Sequence, residues 1–328
     1  MIIPQYWAEA RLQHRERKRQ VTVRRFGWSD HSLEDAQAHA ERRVREAFDR
    51  VLAGEALPRR ERRVPYNGAE GVPIREEVIE RDGETVITRN AYGALCLNTP
   101  NVFFADIDFW PAPGCRSMVL TALALGLIVG LVLKAGLGLS WKISIVAAIA
   151  SALFLGHGLS LALRRLLTQL RGGDVGEARK RVLAFLAAHP QWRVRLYRTP
   201  AGLRVLAVHR LFEPREAETE AAFTAFATDP NYVRMCRNQN CFRARVTPKP
   251  WRIGLPRMRP PYAAAWCPEH AQLPLRRAWV ADYDLASAGY AACRYLETLG
   301  AGQTDAAADH VRQLHDLMCQ AERELPLA

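Results

Sequence analysis

The chain has 328 residues, with 46 Lys+Arg against 34 Asp+Glu for a formal charge of +12, and 49% of its residues are apolar. That composition excludes a disordered chain and a collagen-like fibre, and the mean hydropathy of −0.17 excludes a polytopic membrane protein. Seven cysteines, an odd and scattered number, make a poor disulfide framework and fit a reducing compartment. No basic region followed by an apolar run opens the sequence at Met1-Ile2-Ile3-Pro4, so no secretory signal peptide is expected.

Residues 1–115 alternate between strand and helix patterns. Arg19 to Phe26 reads as a strand. Ser32-Leu-Glu-Asp35 has the form of a capping box, and Leu33, Ala36, Ala40, Val44, Ala47, Phe48, Val51 and Leu52 form a stripe of period 3.6, so a long amphipathic helix is predicted to end near Gly54. Residues 57–71 form a Pro/Gly/Arg-rich connector. Asp82-Gly83 between the strand-like runs 74–81 and 84–90 predicts a hairpin. Residues 101–109, Asn-Val-Phe-Phe-Ala-Asp-Ile-Asp-Phe, make the strongest strand pattern, stopped by Pro111, Pro113 and Gly114.

Two uncharged runs follow, Met118 to Leu133 and Ile143 to Leu163, separated by Lys134, a short Gly-rich stretch and Lys142. A membrane-crossing helix needs roughly 20 apolar residues. The second run meets that length, and the first meets it if Lys134 reaches back to the head groups beside Trp141. A transmembrane hairpin is therefore expected at 116–165, with helices at about 117–137 and 142–163. Two crossings place residues 1–115 and 166–328 on one side. Their basic, thiol-containing character points to the cytoplasm, and the expected location is a bacterial-type inner (plasma) membrane with both termini cytoplasmic.

Beyond the hairpin, helices are predicted at 174–189 and 214–228, strands at 192–199, 203–209 and 241–247, and helical tails at 285–299 and 306–323. With the membrane hairpin treated as an insertion, the order from residue 101 is β-α-β-β-α-β. The predicted fold class is α+β, a ferredoxin-like split β-α-β sheet with extra N-terminal strands.

Asp106 and Asp108 lie two apart on a predicted strand, so both carboxylates face one side. Such a pair suits Mg²⁺ or Mn²⁺ in phosphoryl transfer. The strand Phe104-Ala-Asp106-Ile-Asp108 resembles the first motif of the archaeo-eukaryotic primase palm. That resemblance implies an RRM-like sheet, acids that hold metal, and a following hairpin that binds nucleotide phosphates. Here the hairpin Arg198 to Arg204 has similar turn chemistry, but Gly202-Leu203-Arg204 stands in place of Ser-x-His. His209 lies further along, and Asp282 or Asp284 could stand for the third acid. Eight residues from Phe109 to Ser117 span at most about 28 Å. A nucleotide or lipid-linked phosphate suits that distance from a bilayer, and nucleic acid does so poorly.

Arg243, Arg245 and Lys249, interleaved with Phe242 and Trp251, add a basic stretch that could grip phosphate with Arg204 and His209. Cys236, Cys241, Cys267 and His270 supply three sulfurs and one imidazole, a set that suits zinc. Two function classes fit these features. One is a membrane-anchored domain that binds a phosphate-bearing ligand with metal-dependent phosphoryl or nucleotidyl transfer. The other is a non-catalytic membrane scaffold that recruits a protein partner.

Overall fold

A computed structural model describes residues 3–16, 19–61, 72–109, 115–170, 172–259 and 266–328. The expected stop at 111–114 and most of the 57–71 connector lie outside these residues. The chain divides into two compact units. The first comprises Met1–Ile107, Phe185–Pro200 and Arg204–Ala328; the second comprises Asp108–Ala184 with Ala201–Leu203. The protein is α+β, with antiparallel sheets and two long apolar helices.

The first unit begins with a long hairpin, β1 (Tyr6–Glu16) and β2 (Arg19–Ser29), covered by α1 (Leu33–Leu52). The Ser32 hydroxyl accepts from the Asp35 amide at 3.0 Å, as the capping pattern predicts. Ala40, Val44, Ala47 and Val51 of the helix pack on Ala10, Val21 and Val23 of the strands. Helix and hairpin approach so closely at Gly27 that a Cβ there would sit 2.2 Å from the Ala36 carbonyl oxygen. Strand β1 escapes the sequence pattern because Glu9, Arg11, Gln13 and Arg15 give its outer face a charged, loop-like composition.

Two four-stranded sheets follow. One has the order β3-β4-β5-β9, from β3 (Glu77–Asp82), β4 (Thr85–Arg89), β5 (Leu95–Thr99) and β9 (Phe242–Arg245). Gly83, at φ +56°, makes the predicted β3-β4 turn in a conformation that glycine tolerates. The other has the order β10-β7-β8-β6, from β6 (Phe104–Asp108), β7 (Val194–Arg198), β8 (Gly202–Ala207) and β10 (Arg294–Leu299). The Ala207 amide bonds the Phe103 carbonyl at 3.1 Å, where β8 runs antiparallel to β6.

In this sheet β6, β8 and β7 are neighbours in that order, but the fourth strand is not the one that the ferredoxin-like expectation requires. The expected strand, β9, pairs with β5. Tyr232, on α6 (Pro230–Gln239), stands between β6 and β9: its hydroxyl donates to the Phe104 carbonyl at 3.0 Å and accepts from the Arg243 amide at 3.3 Å. One phenol oxygen thus satisfies one backbone group of each strand. The far edge is taken instead by β10. The segment 285–299, expected to be helical, ends its helix α7 (Pro274–Ser287) at Ser287 and turns near Gly289, and its second half pairs with β7. Pairing to a sheet edge overrides the local pattern there.

Phe103 anchors the aromatic core, with Phe223, Phe212, Phe242, Trp192 and Phe226 at centroid distances of 5.0 to 6.2 Å. Helix α5 (Ala217–Phe226) contributes two of these rings.

The second unit holds the two apolar helices. Helix α2 (Cys115–Leu131) continues through a π turn at Val132–Gly136, and α3 (Trp141–Leu170) returns after Leu137 to Ser140. The segments long and apolar enough to cross a membrane are Met118–Gly136, 19 residues, and Trp141–Leu167, 27 residues. Small residues line their contact. A Cβ on Gly126 would lie 3.0 Å from the Ala148 carbonyl oxygen, one on Gly130 3.4 Å from the Ala148 Cβ, and one on Gly156 2.7 Å from the Ala122 Cβ. The repeats Ala122-x3-Gly126-x3-Gly130 and Ala148-x3-Ala152-x3-Gly156 thus let the backbones approach closely. Large side chains point outward, Phe154 being 82% exposed and Leu153 72%. Lys134 lies 5.5 Å from the Trp141 ring and donates to the Leu139 carbonyl at 3.4 Å. His157 is exposed.

Helix α4 (Gly173–Ala188) leads back to the first unit, and α8 (Ala306–Cys319) closes the chain.

Candidate metal centre and the ion pairs around it

Asp106 on β6 and Arg204 on the neighbouring β8 meet side on. Nε donates to Oδ1 at 2.8 Å and Nη2 to Oδ2 at 3.2 Å, the bidentate fork that suits guanidinium and carboxylate. The Arg204 side chain is 3% exposed and that of Asp106 39%. Both carboxylate oxygens expected to hold Mg²⁺ or Mn²⁺ therefore accept from Arg204. Asp108 falls in the second unit and is exposed.

The remaining nitrogen of Arg204, Nη1, donates to the Arg245 carbonyl at 2.9 Å and lies 3.2 Å from His315 Nε2. A guanidinium nitrogen can only donate, so Nε2 presents its lone pair. Nδ1 of the same ring then donates to Asp316 Oδ1 at 3.0 Å. Asp316 is held in turn by Arg195 at 3.1 Å and Arg312 at 3.4 Å. The Tyr197 and Phe104 rings flank the imidazole at 4.9 and 5.3 Å.

Two sulfurs lie near the same nitrogen. Cys319 Sγ is 3.4 Å from His315 Nε2 and Cys293 Sγ is 3.9 Å from it. The three ligand atoms all lie within 4.8 Å of one another, and all three residues are fully buried. Tetrahedral zinc with ordinary bond lengths requires about 3.6 Å between nitrogen and sulfur ligands, and the observed spacings bracket that value. Burial alone would raise the Cys293 thiol, but the hydrogen bond from Cys319, with the Arg204 guanidinium nearby, pulls it below its usual range. Cys319 is pushed well above its usual range by burial and by Cys293. A carboxylate on Nδ1 that fixes the tautomer is the outer-shell arrangement found at histidine metal ligands.

Local structure delivers the trio. His315 and Cys319 are four apart on α8, hence one turn apart on one face, while Cys293 stands just before β10. The amide of Ala292 bonds the Cys319 carbonyl at 3.0 Å and pins the two segments together. The sequence holds a partial signal in His315-x3-Cys319. His310, five residues before His315, lies on a different face of the helix and bonds Asp82 at 2.8 Å.

The expected zinc set does not gather in this way. Among the described residues, Cys293, His315 and Cys319 are the group of three within ligand reach, and Cys236, Cys241, Cys267 and His270 form none. Cys236 and Cys241 are buried at the end of α6 and the start of β9, where the Cys241 amide bonds the Cys236 carbonyl at 3.2 Å. Burial pushes the Cys236 thiol well up and the Cys241 thiol to about 12, so both keep their protons. Cys267 and His270 sit on a partly exposed 3₁₀ turn, Pro268–Gln272 and its cap.

The expected phosphate ligands are engaged elsewhere. Arg243 Nη2 bonds both oxygens of Glu76, at 2.9 and 2.7 Å, and Nη1 donates to Asn98 at 2.9 Å. Thr88 donates to the same Glu76, in a network buried within the β3-β4-β5-β9 sheet. Arg245 donates to the Thr247 carbonyl at 3.2 Å. Lys249 stands 5.5 Å from the Trp251 ring. His209 packs on Trp192 and Phe212 at 4.7 and 5.3 Å, and burial holds its pKa below the usual imidazole value. Asp284, on α7, accepts from Arg89 through both oxygens.

Comparison of the chain with protein-family models, with curated proteins and with solved structures finds no match.

Proposed function

We propose that this is a two-pass membrane protein whose water-facing α+β portion is a non-catalytic recruitment scaffold, organised round a buried metal centre of Cys293, His315 and Cys319. The observation that carries the metal reading is the meeting of two sulfurs and an imidazole nitrogen in a buried cluster, with Asp316 behind the ring. Soft sulfur and imidazole donors suit a thiophilic ion such as Zn²⁺. The ion would tie α8 and the β10 segment to the sheet. A scaffold is favoured over phosphoryl transfer because Asp106, Arg204 and Arg243 spend their charges on internal pairs.

Membrane insertion is supported by exposure. Only 6% and 11% of the two apolar windows are buried, so the protein itself does not cover them, and hydrocarbon would. Two crossings keep both flanking portions on one face. Among the described residues six cysteines are free, five of them buried, which favours the reducing cytoplasmic face of an inner membrane.

Metal analysis of the full chain, purified in detergent without added metal, tests the centre. About one thiophilic ion per chain is expected, with loss in Cys293→Ser and Cys319→Ser and a Co²⁺–thiolate absorption band after exchange. Wild-type protein free of metal and without that band would refute it. Titration with Mg²⁺ or Mn²⁺ and nucleotide tests the scaffold reading, and a response abolished by Asp106→Ala would restore transfer chemistry. Extraction of the chain from membranes by alkaline carbonate would refute the spanning hairpin.

A further inference from the structure

The outer face of the N-terminal hairpin breaks a rule of sheet pairing. In the β1-β2 register Arg11 stands directly opposite Arg24, and Gln13 opposite Thr22. Like charges placed directly opposite each other destabilise a sheet. The chain then adds to the conflict. The Arg24 amide bonds the Arg59 carbonyl at 2.9 Å, and Arg24 forms a parallel bridge with Arg60, so two more arginines are laid beside the first pair. Together Arg11, Thr22, Arg24, Arg59 and Arg60 line a recess of about 290 Å³.

Among the described residues these charges are poorly compensated. Arg24 lies 3.6 Å from Glu9. Arg11 bonds the neutral Gln13, and among the described residues no acidic side chain is bonded to Arg11, Arg59 or Arg60. Elsewhere arginines are closed onto carboxylates: Arg43 onto Glu61, Arg204 onto Asp106, Arg243 onto Glu76 and Arg276 onto Glu77. A site where local rules fail without an internal compensation is one where a ligand supplies it.

From this we infer that the recess binds a multiply charged phosphate group. Four guanidinium groups offer planar forks that match phosphate oxygens in pairs, and the Thr22 hydroxyl adds a further donor. The volume lies at the lower end of small-molecule sites, which fits a diphosphate or a phosphorylated head group and not a duplex. This site is separate from the metal centre and does not depend on it. Its phosphate can come from a soluble molecule or from a lipid, and the recess recognises the chemistry common to both.

Binding to the detergent-solubilised full chain distinguishes the sources. Inorganic pyrophosphate probes the soluble arm, and short-chain dioctanoyl phosphatidic acid, with dioctanoyl phosphatidylcholine as control, probes the lipid arm. Saturable binding of pyrophosphate, phosphatidic acid or both is expected, weakening steeply with salt and falling at least tenfold in Arg59→Gln/Arg60→Gln. Arg11→Gln should also weaken binding while leaving the unliganded protein as stable as wild type or more so, because it relieves the repulsion with Arg24. Unchanged binding in Arg59→Gln/Arg60→Gln overturns the inference. So does a wild-type chain that binds neither probe at low salt, or one that responds only to nucleic acid or to an acidic peptide.

Discussion

Truncating Asp106 to alanine strands the Arg204 guanidinium, and the structure sets the size of the effect. Nε and Nη2 lose their acceptors, while the group stays 3% exposed between the sheet and α8. Removing one partner of a fully buried pair costs roughly 3–5 kcal/mol. Because Asp106 is 39% exposed, water reaches its end of the bridge, and about 2–3 kcal/mol is expected. Removing both charges in Asp106→Leu/Arg204→Met leaves the Arg245 carbonyl and His315 Nε2 short of a donor, a loss of about 1–2 kcal/mol. The double variant should therefore be more stable than the single one. In thermal unfolding that difference reads as roughly 2–4 °C per kcal/mol for a unit of this size, with Asp106→Ala melting about 4–12 °C below wild type. An Asp106→Ala protein within about 1 °C of wild type, or a double variant no better than the single, would refute the ion-pair account. A rise in wild-type melting temperature with Mg²⁺, absent from the variant, would identify Asp106 as a cation ligand instead.

Further outcomes follow from the same geometry. Tyr232→Phe removes the oxygen shared by the Phe104 carbonyl and the Arg243 amide, and should destabilise the protein by about 1–3 kcal/mol in denaturant titration. Although burial pushes the Glu218 carboxyl up, the hydrogen bonds from Trp192 and Arg210 hold it below its usual range. A lowered folded pKa means that its stabilisation is full above the ordinary carboxylate pKa of about 4.3 and is lost as pH falls through the folded value. Melting temperature in acid should therefore fall less steeply in Glu218→Gln than in wild type. Gly156→Val introduces a branched side chain where even a bare Cβ would lie 2.7 Å from that of Ala122, so the α2-α3 pair should separate. Reduced cross-linking of cysteines placed on the two helices would report it. Cys236→Ala should leave bound metal unchanged while Cys319→Ser removes it, as metal analysis of the purified chains can check.

Local patterns are legible wherever the physics is local. The Ser32 cap and the 3.6-residue stripe set α1, Asp82-Gly83 set the β3-β4 turn, and the two uncharged runs set α2 and α3 together with their length. In each case the determining interactions lie within a few residues of one another. Strand β10 escapes such reading because its pairing with β7 bridges about a hundred residues of chain, and the sheet edge outweighs the local preference of 285–299. The departure of β9 from the ferredoxin-like order likewise rests on its pairing with β5, with the Tyr232 hydroxyl, on a helix the strand pattern does not encode, bonding both β6 and β9.

The site divides in the same way. From the sequence come the residue types: a paired acid on a strand, arginines in number, and thiols without a disulfide plan. Only the tertiary structure decides who meets whom. Arg204, 98 positions from Asp106, takes both of its carboxylate oxygens, and Arg243, 167 positions from Glu76, closes on that carboxylate. His315 and Cys319 share a helix face by spacing alone, whereas Cys293 joins them from the segment before β10, held there by the Ala292–Cys319 backbone bond. Charge and hydropathy are properties of a residue and its near neighbours, so the chain's order reveals them; a ligand set or an ion pair is a property of distances, which exist only once the fold has closed.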